Sequence, residues 1–216
     1  APTGGSVVLA ALMLKLGAYG FLRFTLPIVP GISKNLDLIL IVVSLIGIVY
    51  VGMATVVQKN MKRLIAYSSI SHMGMVTLAI FTTFMIIGQK QGHTSSFYDD
   101  AVLGVQGAIF MMIAHAFTSG ALFLGTDYVY RRFKSRDIGD LQGIAKHMPI
   151  YASFVMLFAM SNVGLPGTSG FVGEFMIILS TFKASFWVTF LAASTLVIGA
   201  AYTLWMVKRV FFGAVT

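Results

Sequence analysis

The stretch that decides the fold is Gly164-Leu165-Pro166-Gly167-Thr168-Ser169-Gly170. It sits in the middle of an apolar run, Met148–Thr181, of 34 residues. At 1.5 Å per residue about 20 residues cross the hydrocarbon, so this run is too long for one span. Proline removes a backbone donor and glycine resists helix. The run is therefore expected to be a helix broken inside the membrane at Gly164, Pro166, Gly167 and Gly170. Glycines at 164, 167, 170 and 173 also let helices approach closely, and the freed backbone groups can hold water.

Five further apolar stretches flank it, at about Ser6–Val29, Leu36–Val57, Leu64–Ile87, Ala101–Thr126 and Ser185–Val207. Each has the length of one span. The 216 residues are 57% hydrophobic and 10% charged, whereas about a quarter of a soluble domain is charged. The expected fold is an all-α polytopic membrane helix bundle of about six transmembrane helices, one of them discontinuous. Residues 1–216 read as a single transmembrane domain. The opening Ala1-Pro2-Thr3-Gly4-Gly5 has no initiator methionine and no charged n-region, so the chain is expected to be an excerpt of a longer protein. No cysteine is present. That excludes disulfides, thiolate metal sites and iron–sulfur ligation.

The formal charge of +8 is distributed unevenly. Lys59, Lys62 and Arg63 lie between spans two and three, Arg131, Arg132, Lys134, Arg136 and Lys146 between four and five, and Lys208 and Arg209 after six. These loops share one side. The other side has Lys34, Lys90 and Lys183, with Arg23 near the end of the first span. The cation-rich side is cytoplasmic by the positive-inside rule, and the first helix runs outward. The outward loop Gln89–Asp100 is polar enough to be irregular. His93, His147, Asp99, Asp100, Asp127, Asp137 and Asp140 are expected in loops, outside the chemistry. The basic excess reads as loop charge facing a lipid bilayer, with no nucleic-acid partner.

Four ionisable residues lie far from any loop. Lys15, in Leu14-Lys15-Leu16-Gly17, is about ten residues into its span and on the order of 15 Å deep. An uncompensated ammonium there is costly. It must find a carboxylate or water, or deprotonate, which is how a lysine becomes a proton carrier; the bland reading is snorkelling. His72 and His115 sit within spans three and four. Each can accept a proton on one nitrogen and pass another on; the bland reading is a neutral histidine bonded to a neighbouring helix. Glu174, the one glutamate, follows the break; its bland reading is a pairing with Lys15 for assembly. A histidine metal site fits poorly beside a lysine and one carboxylate. Lys62 and Lys208 are candidate entry or exit points, with interfacial anchoring as the alternative. Sequence motifs for ATP, a Rossmann turn, a nucleophile elbow and H-E-x-x-H are all absent. No residue reads as catalytic in the covalent or redox sense.

Several segments together resemble a known family. They are Ala1-Pro2-Thr3-Gly4-Gly5-Ser6, Leu14-Lys15-Leu16-Gly17-Ala18-Tyr19-Gly20, Lys62-Arg63-Leu64-Ile65-Ala66-Tyr67-Ser68-Ser69-Ile70-Ser71-His72-Met73-Gly74 and Gly164-Leu165-Pro166-Gly167-Thr168-Ser169-Gly170-Phe171-Val172-Gly173-Glu174-Phe175. They resemble the antiporter-like subunit M family of proton-pumping NADH:quinone oxidoreductase, respiratory complex I, whose mitochondrial counterpart is chain 4. The resemblance places the chain over the eighth to thirteenth of about fourteen helices, an antiporter-like inverted-repeat half. The outward loop 88–100 looks longer than in bacterial members, and the lysine–glutamate pair of the first half falls upstream of Ala1.

By motif, the resemblance implies that Lys15 is the central lysine of a mid-membrane proton axis, with His72, His115 and Glu174 along it. It implies no cofactor in this chain. NADH, FMN, iron–sulfur clusters and quinone belong to partner subunits, and the partners are other membrane-arm subunits, including paralogous antiporter-like ones. The location is the bacterial cell inner membrane, or the mitochondrial inner membrane if organellar. The alternatives are a subunit of a multi-subunit sodium/proton antiporter, which tends to have lysine at the position of Glu174, and one of a membrane-bound hydrogenase complex. A purely structural scaffold is the third rival.

Overall fold

A computed structural model describes residues 3–28, 33–88 and 95–213. Among the described residues, five helices are long and apolar enough to cross a membrane: α1 (Gly4–Thr25), α2 (Leu36–Val56), α3 (Met61–Gly88), α4 (Ser95–Phe133) and α7 (Phe186–Phe212). Between the last two lie two shorter helices, α5 (Pro149–Val163) and α6 (Ser169–Ala184), of 15 and 16 residues. They are the two halves expected of the 34-residue run. No strand occurs among the described residues; one isolated bridge joins Asn60 to Asp137.

The break follows from its residues. At Gly164, with φ +77°, the chain turns left-handed. The amide of Gly164 donates to the Ser161 carbonyl and that of Leu165 to the Met160 carbonyl, both at 3.2 Å, a Schellman ending for α5. Pro166 cannot extend the helix. The Ser161 and Ser169 hydroxyls, 2.9 Å apart, tie the two halves together.

Two features exceed what the sequence suggested. α1 contains π turns at Leu9–Met13 and Phe21–Thr25, and α2 contains one at Gly47–Val51. α4 outruns its apolar window at both ends. Asp99, Asp100 and Asp127 are therefore helical, not loop residues, and Ser95–Asp100 is not irregular. His147 ends a single helical turn, Ile144–His147. Lys90 and His93, expected in the outward loop, lie outside the described residues.

α3 is the most enclosed helix, with 76% of its apolar window buried against 11% for α1. Around it the apolar side chains form two separate cores. One includes Leu64, Ile65, Leu122, Phe123, Val155, Met206 and Val210. The other includes Met75, Leu78, Ile80, Ala108, Met111, Ile177 and Ala192. On α3 and α4, which join both, buried histidines lie between the two cores. His72 falls between Ile65 and Met75, His115 between Met111 and Leu122, and Glu174 just before Ile177. The cation-rich loop between α4 and α5 closes the first core. Its Ile138, Leu141 and Ile144 are buried there. The Ile138 amide donates to Lys59 O (2.8 Å), and the Met61 amide to Arg136 O (3.0 Å).

Candidate functional site

Lys15, His72, His115 and Glu174 come together from four helices in the seam between the two cores. His72, His115 and Glu174 are buried, and Lys15 is half-buried. Lys15 follows the first π turn. Its ammonium turns back to the Ala10 carbonyl, 2.6 Å away, and inward to His115 Nδ1 at 2.8 Å. It does not snorkel. Ala10 lies in the π turn, where widened backbone spacing loosens the helix's own hydrogen bonding.

Glu174 pairs with His72 instead: Oε1 lies 3.1 Å from Nδ1. The bland expectation of a Lys15–Glu174 pair does not hold; each has a histidine as its close partner. The remaining nitrogen of His72, Nε2, faces the Tyr202 hydroxyl at 3.5 Å. The two imidazole rings lie 5.4 Å apart, centroid to centroid, in tilted contact. With Nδ1 facing Lys15, His115 has its ring nitrogen Nε2 buried without a protein partner, and Glu174 Oε2 is likewise without one. Both residues, with His72, Thr118, Ser161 and Asn162, line a cavity of about 10 Å³. That is the threshold for a single water.

The hydrogen-bond logic is self-consistent. If Lys15 donates to His115 Nδ1, the proton of a neutral His115 sits on Nε2, which then donates into the cavity. If His72 donates from Nδ1 to Glu174, its Nε2 accepts from Tyr202. The arrangement is two hydrogen-bonded pairs, Lys15–His115 and His72–Glu174, that line one small cavity. Four protonatable groups in such a row can move a proton without moving the backbone.

Glycines fix the carboxylate. A β-carbon at Gly164 would collide with Glu174 Oε2, and one at Gly170 with the Ser161 carbonyl. At Gly173 a β-carbon would come within 2.9 Å of the Met111 backbone nitrogen. The spacing of small residues after the break thus lets α6 lie against α5 and α4 with Glu174 pointing into the cavity. Of the four break residues, Gly164 and Gly170 make this approach; Gly167 supplies a second positive φ, +94°.

Lys62 and Lys208 are not in the cluster. Lys62 opens α3, ten residues before His72 and about 15 Å along the helix. Lys208 is exposed near the cytoplasmic end of α7. Neighbouring cations behave as anchors: the Arg136 guanidinium lies 3.7 Å over the Tyr130 ring, and Arg209 lies 4.6 Å over Trp205.

Among the described residues, two buried titratable residues escaped the sequence reading. Tyr202 is one, hidden because a tyrosine in an apolar span carries no charge signal. Asp37 is the other. It is 4% exposed with Oδ1 unpartnered, at the outward end of α2; a carboxylate near a helix start reads as an ordinary end. There is no cysteine, and among the described residues no group of three His, Asp or Glu side chains could hold a metal ion.

A polytopic bundle whose broken helix places a carboxylate in one cluster with a half-buried lysine and two buried histidines defines the antiporter-like class of membrane proteins. Residues 1–199 match the family described as NADH:quinone oxidoreductase/Mrp antiporter, TM, and the chain belongs to it. It is 46% identical over 213 residues to NADH-quinone oxidoreductase subunit M of Rhodobacter capsulatus, covering 99% of this chain and 38% of that protein. It is 39% identical over 214 residues to NADH-ubiquinone oxidoreductase chain 4 of Chondrus crispus, covering 99% of this chain and 40% of that one. The fold superposes on a chain of respiratory complex I from Thermus thermophilus with a TM-score of 0.84 at 29% identity, covering 98% of this chain and 42% of the other. A chain of the Mrp complex from Dietzia sp. shares the fold at TM-score 0.80 and 23% identity, with 94% and 35% covered. The chain thus spans about two fifths of the length of the relatives it matches.

Proposed function

We propose that this chain is the proton-relaying part of a membrane-arm subunit of respiratory complex I. On this reading it moves protons along the row Lys15, His115, Glu174 and His72 while other subunits carry electrons from NADH to quinone. It is a transport part of a translocating oxidoreductase, seated in a bacterial inner membrane or its mitochondrial equivalent beside paralogous antiporter-like subunits. NADH, FMN, iron–sulfur clusters and quinone belong to the partner subunits, which agrees with the absence of cysteine here. The names and identities of the subunit M and chain 4 relatives support this assignment over the antiporter reading, because the Mrp relative is more distant.

One observation carries the relay: two hydrogen-bonded pairs face a shared cavity, each with one unpartnered polar atom toward it. A buried polar atom without a partner costs about 1–3 kcal/mol. A water spanning His115 Nε2 and Glu174 Oε2 removes both costs and closes the row. The apolar cores on either side leave the row as the polar route across the seam, so charge placed on one member is felt by the next with little screening. A lysine ammonium is held by a nearby carboxylate and released when that carboxylate is neutralised. Protonating Glu174 therefore favours release from Lys15, which couples the two ends.

The test is Glu174→Gln in the assembled complex, with protons pumped per quinone reduced and electron transfer measured in the same membranes. Gln keeps the shape and removes the titration. Intact assembly with collapsed pumping is the expected result. Wild-type pumping and turnover would make Glu174 a structural residue and overturn the relay.

A further inference from the structure

We infer that Tyr202 is a further proton-transfer residue, which with Ser68 joins His72 to the cytoplasmic side of the relay. This deepens the relay reading and rests on it. The valence of His72 sets the requirement. An imidazole has two nitrogens, and Glu174 takes Nδ1. Whatever supplies His72 must come to Nε2, and the group placed there is the Tyr202 hydroxyl at 3.5 Å. The ring contact with His115 cannot substitute, since a tilted approach of 5.4 Å between centroids places no hydrogen bond between the two rings.

Tyr202 is fully buried. A phenol in a protein core needs partners for its hydroxyl; His72 is the one in place, and the Ser68 hydroxyl beside it donates to the Ile65 carbonyl at 2.9 Å and turns from there to serve Tyr202. Both lie on the correct side. Ser68 is one turn closer than His72 to Met61, the cytoplasmic start of α3. Tyr202 belongs to α7, which runs toward the same face and ends at Phe212. Below Ser68 the apolar side chains of Leu64, Ile65, Met206 and Val210 close the route, so the hydroxyl step does not stand open to the cytoplasm.

The step balances without ionising the phenol. His72 gives its Nδ1 proton to Glu174 Oε1 and takes the Tyr202 hydroxyl proton at Nε2. Tyr202 takes the Ser68 proton in turn, and Ser68 is refilled by a hydronium ion from the cytoplasmic side when the apolar side chains below it part. A flip of the imidazole resets the ring. Hydroxyls suit this role because each donates and accepts at once.

The experiment compares Tyr202→Phe, Ser68→Ala and Glu174→Gln in assembled complex in membrane vesicles. Pumping, quinone reduction and the rate ratio between light and heavy water are read together. Phenylalanine keeps the packed ring and removes the hydroxyl. The expected result is intact assembly, at least a fivefold fall in coupled turnover, and a light-to-heavy-water ratio above wild type. A packing role alone would leave that ratio unchanged. Wild-type pumping in Tyr202→Phe while Glu174→Gln collapses would overturn this inference and leave the relay standing. Wild-type pumping in both would overturn the relay itself. If Tyr202→Phe fails to assemble, Ser68→Ala decides: the same fall supports the step, and wild-type pumping rejects it.

Discussion

Gly164 closes over the carboxylate of Glu174, ten residues further along the chain, so tightly that a β-carbon at 164 would overlap Oε2. The residue that ends one half-helix is therefore also the wall behind the charge of the other. Two independent demands fall on position 164, a left-handed backbone and an absent side chain. Gly164→Ala violates both. The backbone alone costs about 1–2 kcal/mol for a non-glycine residue, and the overlap forces Glu174 off His72. The variant is expected to lose coupled turnover at least tenfold even where assembled complex is recovered. Gly167→Ala meets only the backbone demand, since open space surrounds that position, and is expected to retain most turnover. Equal losses in the two would show that Glu174 does not depend on this contact.

Lys15 and His115 act as one unit if their 2.8 Å contact is the hydrogen bond that sets the tautomer. Lys15→Met removes the donor and leaves Nδ1 of a buried imidazole unpartnered. His115→Gln removes the acceptor and leaves the lysine with Ala10 O alone. Residues in direct contact couple by about 0.5–3 kcal/mol. The double variant should therefore be about as slow in coupled turnover as the worse single variant. Losses that multiply would show that the two side chains work separately.

The broken helix was legible because its punctuation is chemical: proline has no amide proton, and glycine accepts a positive φ. The four ionisable residues were legible because a charge in an apolar run needs a reason. Their pairing was not. Lys15 and His115 are 100 positions apart, and nothing local says that the lysine meets a histidine and the glutamate meets the other. The π turn that places Ala10 O against Lys15 has no residue signature either. Tyr202 was invisible for a different reason: a tyrosine costs little in a span, so its burial signals nothing until its hydroxyl is seen facing His72. Ile138, Leu141 and Ile144 were hidden by the cations around them, which made the cytoplasmic loop read as solvated.

That loop is held at one point where a stability change should separate from transport. Asn60 Oδ1 accepts from the amides of Lys62 (3.1 Å) and Arg63 (3.3 Å), and its Nδ2 donates to Asp137 Oδ1 (3.1 Å). It caps α3 and clips the loop in one side chain. Asn60→Ala is expected to cost about 1 kcal/mol through the cap. The fraction of complex surviving a heat step should fall while protons pumped per electron stay at the wild-type value. A changed pumping ratio would place the loop in the pathway.

The last prediction separates packing from chemistry along α4 and α6. Replacing glycine by alanine inside a helix gains about 0.5–1 kcal/mol where space allows. At Gly104 the new β-carbon would meet the Ser180 hydroxyl at 2.5 Å. A hydroxyl can rotate, although this one gives up its 2.8 Å bond to the Asp100 carbonyl. Gain and loss are then of similar size, and Gly104→Ala should be close to neutral in heat stability and in turnover. At Gly173 the obstacle is the Met111 backbone, with Cα and N both at 2.9 Å. Backbone inside a packed helix cannot turn aside, so α6 must shift, at an overpacking cost of about 1–3 kcal/mol. Glu174 is the next residue and shifts with it, away from His72 on α3. Gly173→Ala should therefore lose turnover along with stability, whereas Gly104→Ala loses neither. A Gly173→Ala complex with normal turnover would show that the carboxylate tolerates displacement, and that the close crossing of α4 and α6 serves assembly alone.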